Sequence, residues 1–380
     1  MDRKRLLQVV ASSRGGGAVH ALAISAELAG AGHEVTVAMP ADGGHLTAVD
    51  FEAVGASFAA LPGTRSSLAG RVRGLGQAIG EIKPCLVHAH GSRAALWTRC
   101  ALRFRRLPET RFVYSVHGFA TPYYPQPRRL LQGLVMRWVS ADAAAVIACC
   151  ESERAEVVAA GIAPAQRTIT ISSGFELRPF LELDASARRH ARQEHGVDDS
   201  AWLSIMVCRL DRPRDFKTLL EGFRRVVEAL PSACLFIVGD GPERAALEEQ
   251  VRQLGLSGHV RIWGFRRDVA SFCAAADALV LTSWGWEGLP VSVVEAQAAG
   301  LPVVVTDAGG AGEAIDPEVS GILVPRCDAG ALASALLRLA RDPDLAAQMG
   351  ANGRRHARES FGSAQTAGRM EGLYASLFDA

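Results

Sequence analysis

The stretch Ser283-Trp-Gly-Trp-Glu287-Gly-Leu-Pro-Val-Ser-Val-Val-Glu295-Ala-Gln-Ala-Ala-Gly300 decides the fold. The apolar run Ala278 to Leu281 precedes it and reads as a buried strand. Gly285, Gly288 and Pro290 then mark a loop entering a helix, with proline tolerated in the first helical turn. Glu287 falls in the loop and Glu295 on the helix, with seven residues between them. A helix N-terminus at the carboxyl end of a parallel strand attracts anions, because its free N–H groups and dipole point outward. Two carboxylates do not serve that anion. An ionised carboxylate only accepts hydrogen bonds, which suits the hydroxyl groups of a sugar or ribose. Phosphate on the helix end and hydroxyls on the acids together describe a nucleotide sugar.

Strand, loop and helix recur along the chain. Leu6 to Ala11 reads as a strand, followed by Arg14-Gly15-Gly16-Gly17, a helical pattern through Leu22, Ile24 and Leu28, and a second strand at Glu34 to Met39. This is a βαβ unit. It lacks GxGxxG, which argues against a dinucleotide site, yet its glycines still let backbone approach a phosphate. Further strands are read at Leu86 to His90, Phe112 to Val116, Ala143 to Ala148 and Thr168 to Ile171. After a boundary near Asp184 they continue at Trp202 to Cys208, Leu235 to Val238, Val260 to Trp263, Val303 to Thr306 and Gly321 to Val324, and helical patterns run from Gly330 to the end. His88 and His90 share one side of their strand, since side chains alternate. No third metal ligand accompanies them in the sequence, so a structural or cleft-lining role is predicted and no metal site. His117 precedes Gly118 at a strand end, where the active sites of open α/β sheets gather.

Composition bounds the rest. A chain of 380 residues suits two domains, and 49% hydrophobic with 21% charged is ordinary for a globular protein. The net charge of +1 points to no nucleic-acid partner. The eight cysteines form no CxxC pair and read as small buried residues of a reducing, cytoplasmic compartment. No apolar run approaches membrane-spanning length. Between Arg93 and Arg137, however, nine arginines accompany one acid, Glu109, and Leu130, Leu131, Leu134, Val135 and Trp138 interleave with the last of them at helical spacing. That pattern fits peripheral contact with the anionic inner face of a plasma membrane and equally fits a solvated helix.

Glu287 and Glu295 at this spacing, with Gly288-Leu289-Pro290 after the first, resemble the signature of the family 4 retaining glycosyltransferases, the bacterial group 1 type. The resemblance implies an α/β GT-B fold, with two Rossmann-like domains whose parallel sheets face a central cleft. Residues 1–182 would form the acceptor-side domain, joined by a helix from about 361 to 380, and 183–360 the nucleotide-sugar domain. It also implies transfer of a sugar (a hexose, in the nearest analogy) from a nucleoside diphosphate donor, with retention and without a metal or resident cofactor. The acceptor would be a glycan or a lipid-linked sugar. His117 would contact the donor sugar near the reacting carbon, Glu287 would hold its hydroxyls and Glu295 the ribose. Gly15, Gly16 and Gly17, with His20 downstream, match a glycine loop beside the donor diphosphate, although Ala18 replaces an acid common there. Arg209 and Arg214 match the family's diphosphate clamp, with arginine in place of lysine and Lys217 as a nearby substitute; Gly288 and Leu289 complete it. Gly241, Trp263, Phe265 and Arg266 fall in the region that supports the base. Another GT-B enzyme, such as an epimerase or phosphorylase, and a silent nucleotide-sugar-binding protein both remain open.

Overall fold

A computed structural model of the chain describes residues 3–13, 15–41, 45–63, 66–105, 110–118, 127–285 and 287–379. Arg14, Arg106, Glu109 and Trp286 lie outside the described residues, as does 119–126 of the basic segment. Two units are present: Met1–Glu176 together with Phe361–Ala380, and Leu177–Ser360.

In the first unit, β1 (Arg5–Val10), β2 (Glu34–Pro40), β3 (Ser57–Leu61), β4 (Leu86–His90), β5 (Arg111–Ser115), β6 (Ala145–Ala148) and β7 (Thr168–Thr170) form one parallel sheet. Their order is β3-β2-β1-β4-β5-β6-β7. Helices cover both faces of such a sheet, which is why β4 and β6 are buried at every residue, β6 as an unbroken apolar run and β4 as one interrupted by His88 and His90. The helix Gly16–Gly30 presses Ala21, Ile24 and Leu28 into a core with Leu6, Val35, Val37 and Met39. The last helix, Ser363–Asp379, completes that core with Ala367, Met370 and Tyr374. Its entry is stitched to the end of the sheet: Phe175 N–H donates to the Phe361 carbonyl at 3.0 Å and Ser363 N–H to the Phe175 carbonyl at 3.1 Å. Glycine is required at 174, where a Cβ would lie 2.6 Å from Thr366 Oγ1 and 3.0 Å from the Gly362 carbonyl.

In the second unit, β8 (Trp202–Val207), β9 (Ala233–Val238), β10 (Val260–Gly264), β11 (Ala278–Leu281), β12 (Val303–Thr306) and β13 (Gly321–Val324) run parallel in the order β10-β9-β8-β11-β12-β13. The order reverses between β1 and β4 in one sheet and between β8 and β11 in the other. Ligands of open α/β sheets bind beyond the strand ends at such a reversal. Beyond β1 lie Gly15 to Gly17; beyond β8 lie Arg209 to Arg214; beyond β11 lies the loop carrying Glu287.

Three features depart from the sequence-based reading. Strand β3 was not predicted; it is a partly exposed strand that pairs with β2 and, among the described residues, forms the sheet edge. The C-terminal helical pattern is three helices, Ala329–Arg341, Pro343–Ser360 and Ser363–Asp379. Pro343 opens the second, and the Asp342 carboxylate accepts from Leu345 N–H at 3.0 Å. The units divide at Leu177 rather than Leu183, because the short helix Arg178–Leu181 buries Phe180 and packs on helices Val269–Ala275 and Val291–Ala298 of the second unit.

Candidate functional site

The loops after β8 and β11 are knit together by backbone and side chain. Asp215 N–H donates to the Thr282 carbonyl at 3.0 Å, and Trp284 N–H donates to the Pro213 carbonyl at 3.1 Å. Asp215 also caps the helix Phe216–Ala229 through Thr218 N–H. These bonds carry Arg214 to Glu287. Its Nη1 donates to Ser283 Oγ at 2.9 Å and to Glu287 Oε1, while the Ser283 hydroxyl donates to the same carboxylate oxygen at 2.5 Å. The Arg214 and Glu287 side chains are only 16% and 10% exposed, so the two charges depend on each other. The Glu287 backbone is fixed too: its N–H donates to the Ala308 carbonyl at 3.1 Å and its carbonyl accepts from Gly310 N–H at 3.0 Å. Gly288 and Leu289 lead from it to Pro290, the N-cap of helix Val291–Ala298.

The two arginines expected to form one clamp take different partners. Arg209 is largely exposed and pairs with Asp211, whereas Arg214 pairs with Glu287. Lys217 is exposed on its helix and lies 4.0 Å from Glu221. Gly241 shapes the arginine loop: a Cβ there would overlap the Leu210 carbonyl, and Leu210 N–H donates to the Asp240 carbonyl at 3.0 Å. Trp263 and Arg266 belong to a packed edge cluster. The Arg261 guanidinium lies 3.8 Å from the Trp263 ring centre, His195 and Phe272 abut that ring, and Arg266 makes two bonds to Asp268. Phe265 is exposed beside them.

Glu295 differs from the acceptor-only carboxylate that its sequence position suggested. Burial raises its pKa to about 8, so near neutral pH it is mainly a carboxylic acid that can both donate and accept.

In the first unit, Gly15 takes φ 90° as the N-cap of helix Gly16–Gly30, and Gly17 lies against His117: a Cβ would sit 3.5 Å from the ring. His117 itself has φ 51°, in the left-handed region. Glu153, fully buried, accepts from Gly118 N–H and from Cys149 N–H, each at 2.7 Å, and so pins the turn that carries His117. His90 Nδ1 is 2.9 Å from His117 Nε2, and its Nε2 donates to Gln8 Oε1 at 2.6 Å. His20 packs edge-on to both rings. Burial lowers His20 to about 4 and His88 to about 3, and holds His90 and His117 well below 6.5. All four are neutral at pH 7.

Sequence reasoning missed Ser283, Glu153 and Gln8 as supports. Ser283 carried a signal, standing directly after the strand end and four residues before Glu287. An acid in a first helical turn, such as Glu153, looks like dipole compensation. A strand glutamine such as Gln8 gives no signal at all.

Two outcomes follow from this geometry. Arg214→Leu leaves Glu287 buried and unpaired and should destabilise the second unit by roughly 3–5 kcal/mol, whereas Arg214→Leu with Glu287→Leu should cost less than either single change. Urea unfolding of the four proteins measures this, and strictly additive effects would refute the coupling. Glu295 titrates near 8 folded and near 4.5 unfolded, so the folded state holds a proton that the unfolded state has lost between those values. Its contribution to stability is therefore greatest below about 4.5 and falls as pH rises to 8. Glu295→Gln should remove that part of the slope; identical slopes for the two proteins would show a solvated carboxylate.

Comparison with known proteins agrees with both halves of the fold. The glycosyltransferase family 4 model matches residues 14–178, and the model of glycosyl transferases group 1 matches residues 187–356. EpsD of Bacillus subtilis (strain 168) is 29% identical over 297 residues, covering 77% of each chain. The UDP-Gal:alpha-D-GlcNAc-diphosphoundecaprenol alpha-1,3-galactosyltransferase of Escherichia coli is 27% identical over 265 residues, covering 68% of this chain and 66% of that one. Among solved structures, Anabaena HepE in complex with UDP and glucose superposes with a TM-score of 0.87 over 98% of this chain and 100% of that chain, at 23% identity. With two parallel-sheet Rossmann-like units and a match to one model in each, the chain belongs to the group 1, family 4 glycosyltransferases and has the GT-B fold.

Proposed function

We propose that the chain transfers a hexose from a nucleoside diphosphate donor to a glycan or lipid-linked acceptor, with retention and without a metal ion. The observation that carries this reading is the Arg214–Ser283–Glu287 cluster beyond β8 and β11, at the order reversal of the second sheet. The diphosphate gains negative charge as the sugar leaves. Arg214 and the first-turn N–H groups of helix Val291–Ala298 are preorganised donors for that charge. Arg209, exposed on the same loop, would join them by exchanging Asp211 for phosphate. Glu287 would then turn its carboxylate to the sugar hydroxyls as phosphate takes over Arg214. Glu295 would bind the ribose hydroxyls, and His117, neutral and held at Gly118 by Glu153, would meet the sugar. In a same-face reaction the acceptor hydroxyl attacks the anomeric carbon, the bond to the diphosphate oxygen breaks, and that oxygen receives the hydroxyl proton. Two arginines supply the positive charge that a divalent ion would otherwise bring.

The galactosyltransferase relative is named for a UDP-linked donor and a diphosphoundecaprenol-linked acceptor, and HepE was solved with UDP and with UDP-glucose. We therefore favour a UDP-hexose and a lipid diphosphate-linked acceptor. Thermal-shift screening of UDP, GDP and ADP sugars identifies the donor, since a ligand of the native state raises the melting temperature. Glu287→Gln should retain that shift and lower transfer by about 100- to 1,000-fold. Wild-type turnover in this variant, isomerised donor with no acceptor used, or activity restored only by magnesium after EDTA would overturn the reading.

A lipid-linked acceptor also accounts for helix Arg128–Ala141. Met136, Val139 and Ser140 face inward, and Arg99 lies 3.9 Å from the Trp138 ring centre. Leu130, Leu131 and Leu134 are 61%, 63% and 52% exposed beside exposed Arg129 and Arg137. We propose that this face rests on an anionic bilayer, leucines in the acyl boundary and arginines at the headgroups. Leu131→Glu with Leu134→Glu should abolish co-sedimentation with phosphatidylglycerol vesicles while leaving the fold intact by circular dichroism. Unchanged sedimentation would refute this contact.

A further inference from the structure

The histidine cluster of the first unit, with His20, His88 and His90 buried and His117 half-buried, is more than the transfer reading uses. His20, at 1% exposure, and His90, at 5%, converge on His117 from different elements: the glycine-led helix, the end of β4 and the turn after β5. The ring centres are 5.7 Å apart for His20 and His90, 5.0 Å for His20 and His117, and 5.1 Å for His90 and His117. Three imidazoles bound through nitrogen at about 2.0–2.1 Å around a tetrahedral ion place their centres about 5.2 Å from one another. One ring nitrogen of each residue lies within 4.8 Å of the other two.

The hydrogen bonds around the triangle fit the same arrangement. His90 Nδ1 and His117 Nε2 face each other at 2.9 Å, a line that one proton occupies. Tetrahedral ligation needs about 3.3 Å between them, a shift of a few tenths of an ångström. The outer nitrogen of His90 donates to Gln8 Oε1, and the outer nitrogen of His20, Nδ1, lies 3.2 Å from the Gly174 carbonyl and 3.1 Å from its amide. Metal-binding histidines are held in this way, with the distal ring nitrogen on a carbonyl. His88 does not belong to the set: Tyr374 OH engages its Nδ1 at 2.7 Å and Ser115 Oγ its Nε2 at 2.8 Å.

We propose that His20, His90 and His117 form a three-imidazole site for a divalent transition-metal ion of the zinc class, with a fourth position open to water or a small ligand. Neutral nitrogen ligands suit zinc, cobalt and nickel and disfavour magnesium and calcium. On binding, the single proton of His117 moves from Nε2 to Nδ1, so both imidazoles stay neutral, and the cation takes its place between the two ring nitrogens. The site shares His117 with the transfer reading, which itself uses no metal, and its test uses no sugar.

The full chain, free of any added histidine tag, is equilibrated with zinc chloride, dialysed and assayed for bound zinc, then titrated with cobalt(II). One zinc per chain and the intense visible bands of tetrahedral cobalt are expected. His20→Gln and His90→Gln should each weaken zinc binding by at least about 10-fold, and Gln8→Leu, which removes only the outer carbonyl, by about 10- to 100-fold. Substoichiometric zinc, a weak octahedral cobalt spectrum in the wild-type chain, or full zinc retention in the folded His20→Gln/His90→Gln double variant would overturn the proposal. The cobalt spectrum decides the case even where a variant fails to fold.

Discussion

The second unit is organised around one requirement: a guanidinium and a carboxylate, both largely removed from water, must stay together. Arg214 and Glu287 are separated by 73 positions, yet each is the other's main charge partner. Neither could be enclosed alone, since an uncompensated buried charge costs several kcal/mol. Their pairing explains why the loops after β8 and β11 share backbone bonds and why Ser283 stands between them. In the transfer we propose, the pairing would also keep Arg214 oriented until a donor phosphate competes for it.

The first unit solves a different problem with neutral groups. Four imidazoles packed on one another cannot all carry protons, because each charge would be desolvated and repelled by its neighbours. Burial settles this by keeping them uncharged. The glutamine, serine and tyrosine beside them then absorb the polar valences that burial would otherwise strand. Among the described residues Glu153 is the one acid fully enclosed there, and two backbone amides donate to it at the turn after β5.

Much of this was legible in the sequence. Strands β4, β11, β12 and β13 were read to the residue, because a parallel strand covered on both faces is a short apolar run bounded by turn residues. The glycines beyond β1 and the acid beyond β11 declared themselves by standing at strand ends. Strand β3 was not legible, since Ser57-Phe-Ala-Ala-Leu61 is partly exposed and lacks either period. Nor were the partnerships. That Arg214 meets Glu287 while Arg209 meets Asp211, that Glu295 is buried enough to hold its proton, and that His20 joins His90 and His117 are all products of tertiary approach. Spacing along the chain carries no record of them.

The seam at Gly174 and Phe175 has a consequence for biogenesis. Ala367, Met370 and Tyr374 complete a core whose other buried members are all made before residue 177. A ribosome must therefore translate the whole of the second unit before the first can close. Until then the nascent N-terminal sheet shows a bare apolar flank where Tyr374 will sit, a surface suited to chaperone capture. The second unit is contiguous in sequence, so all of it has been made before the last helix of the first unit can dock.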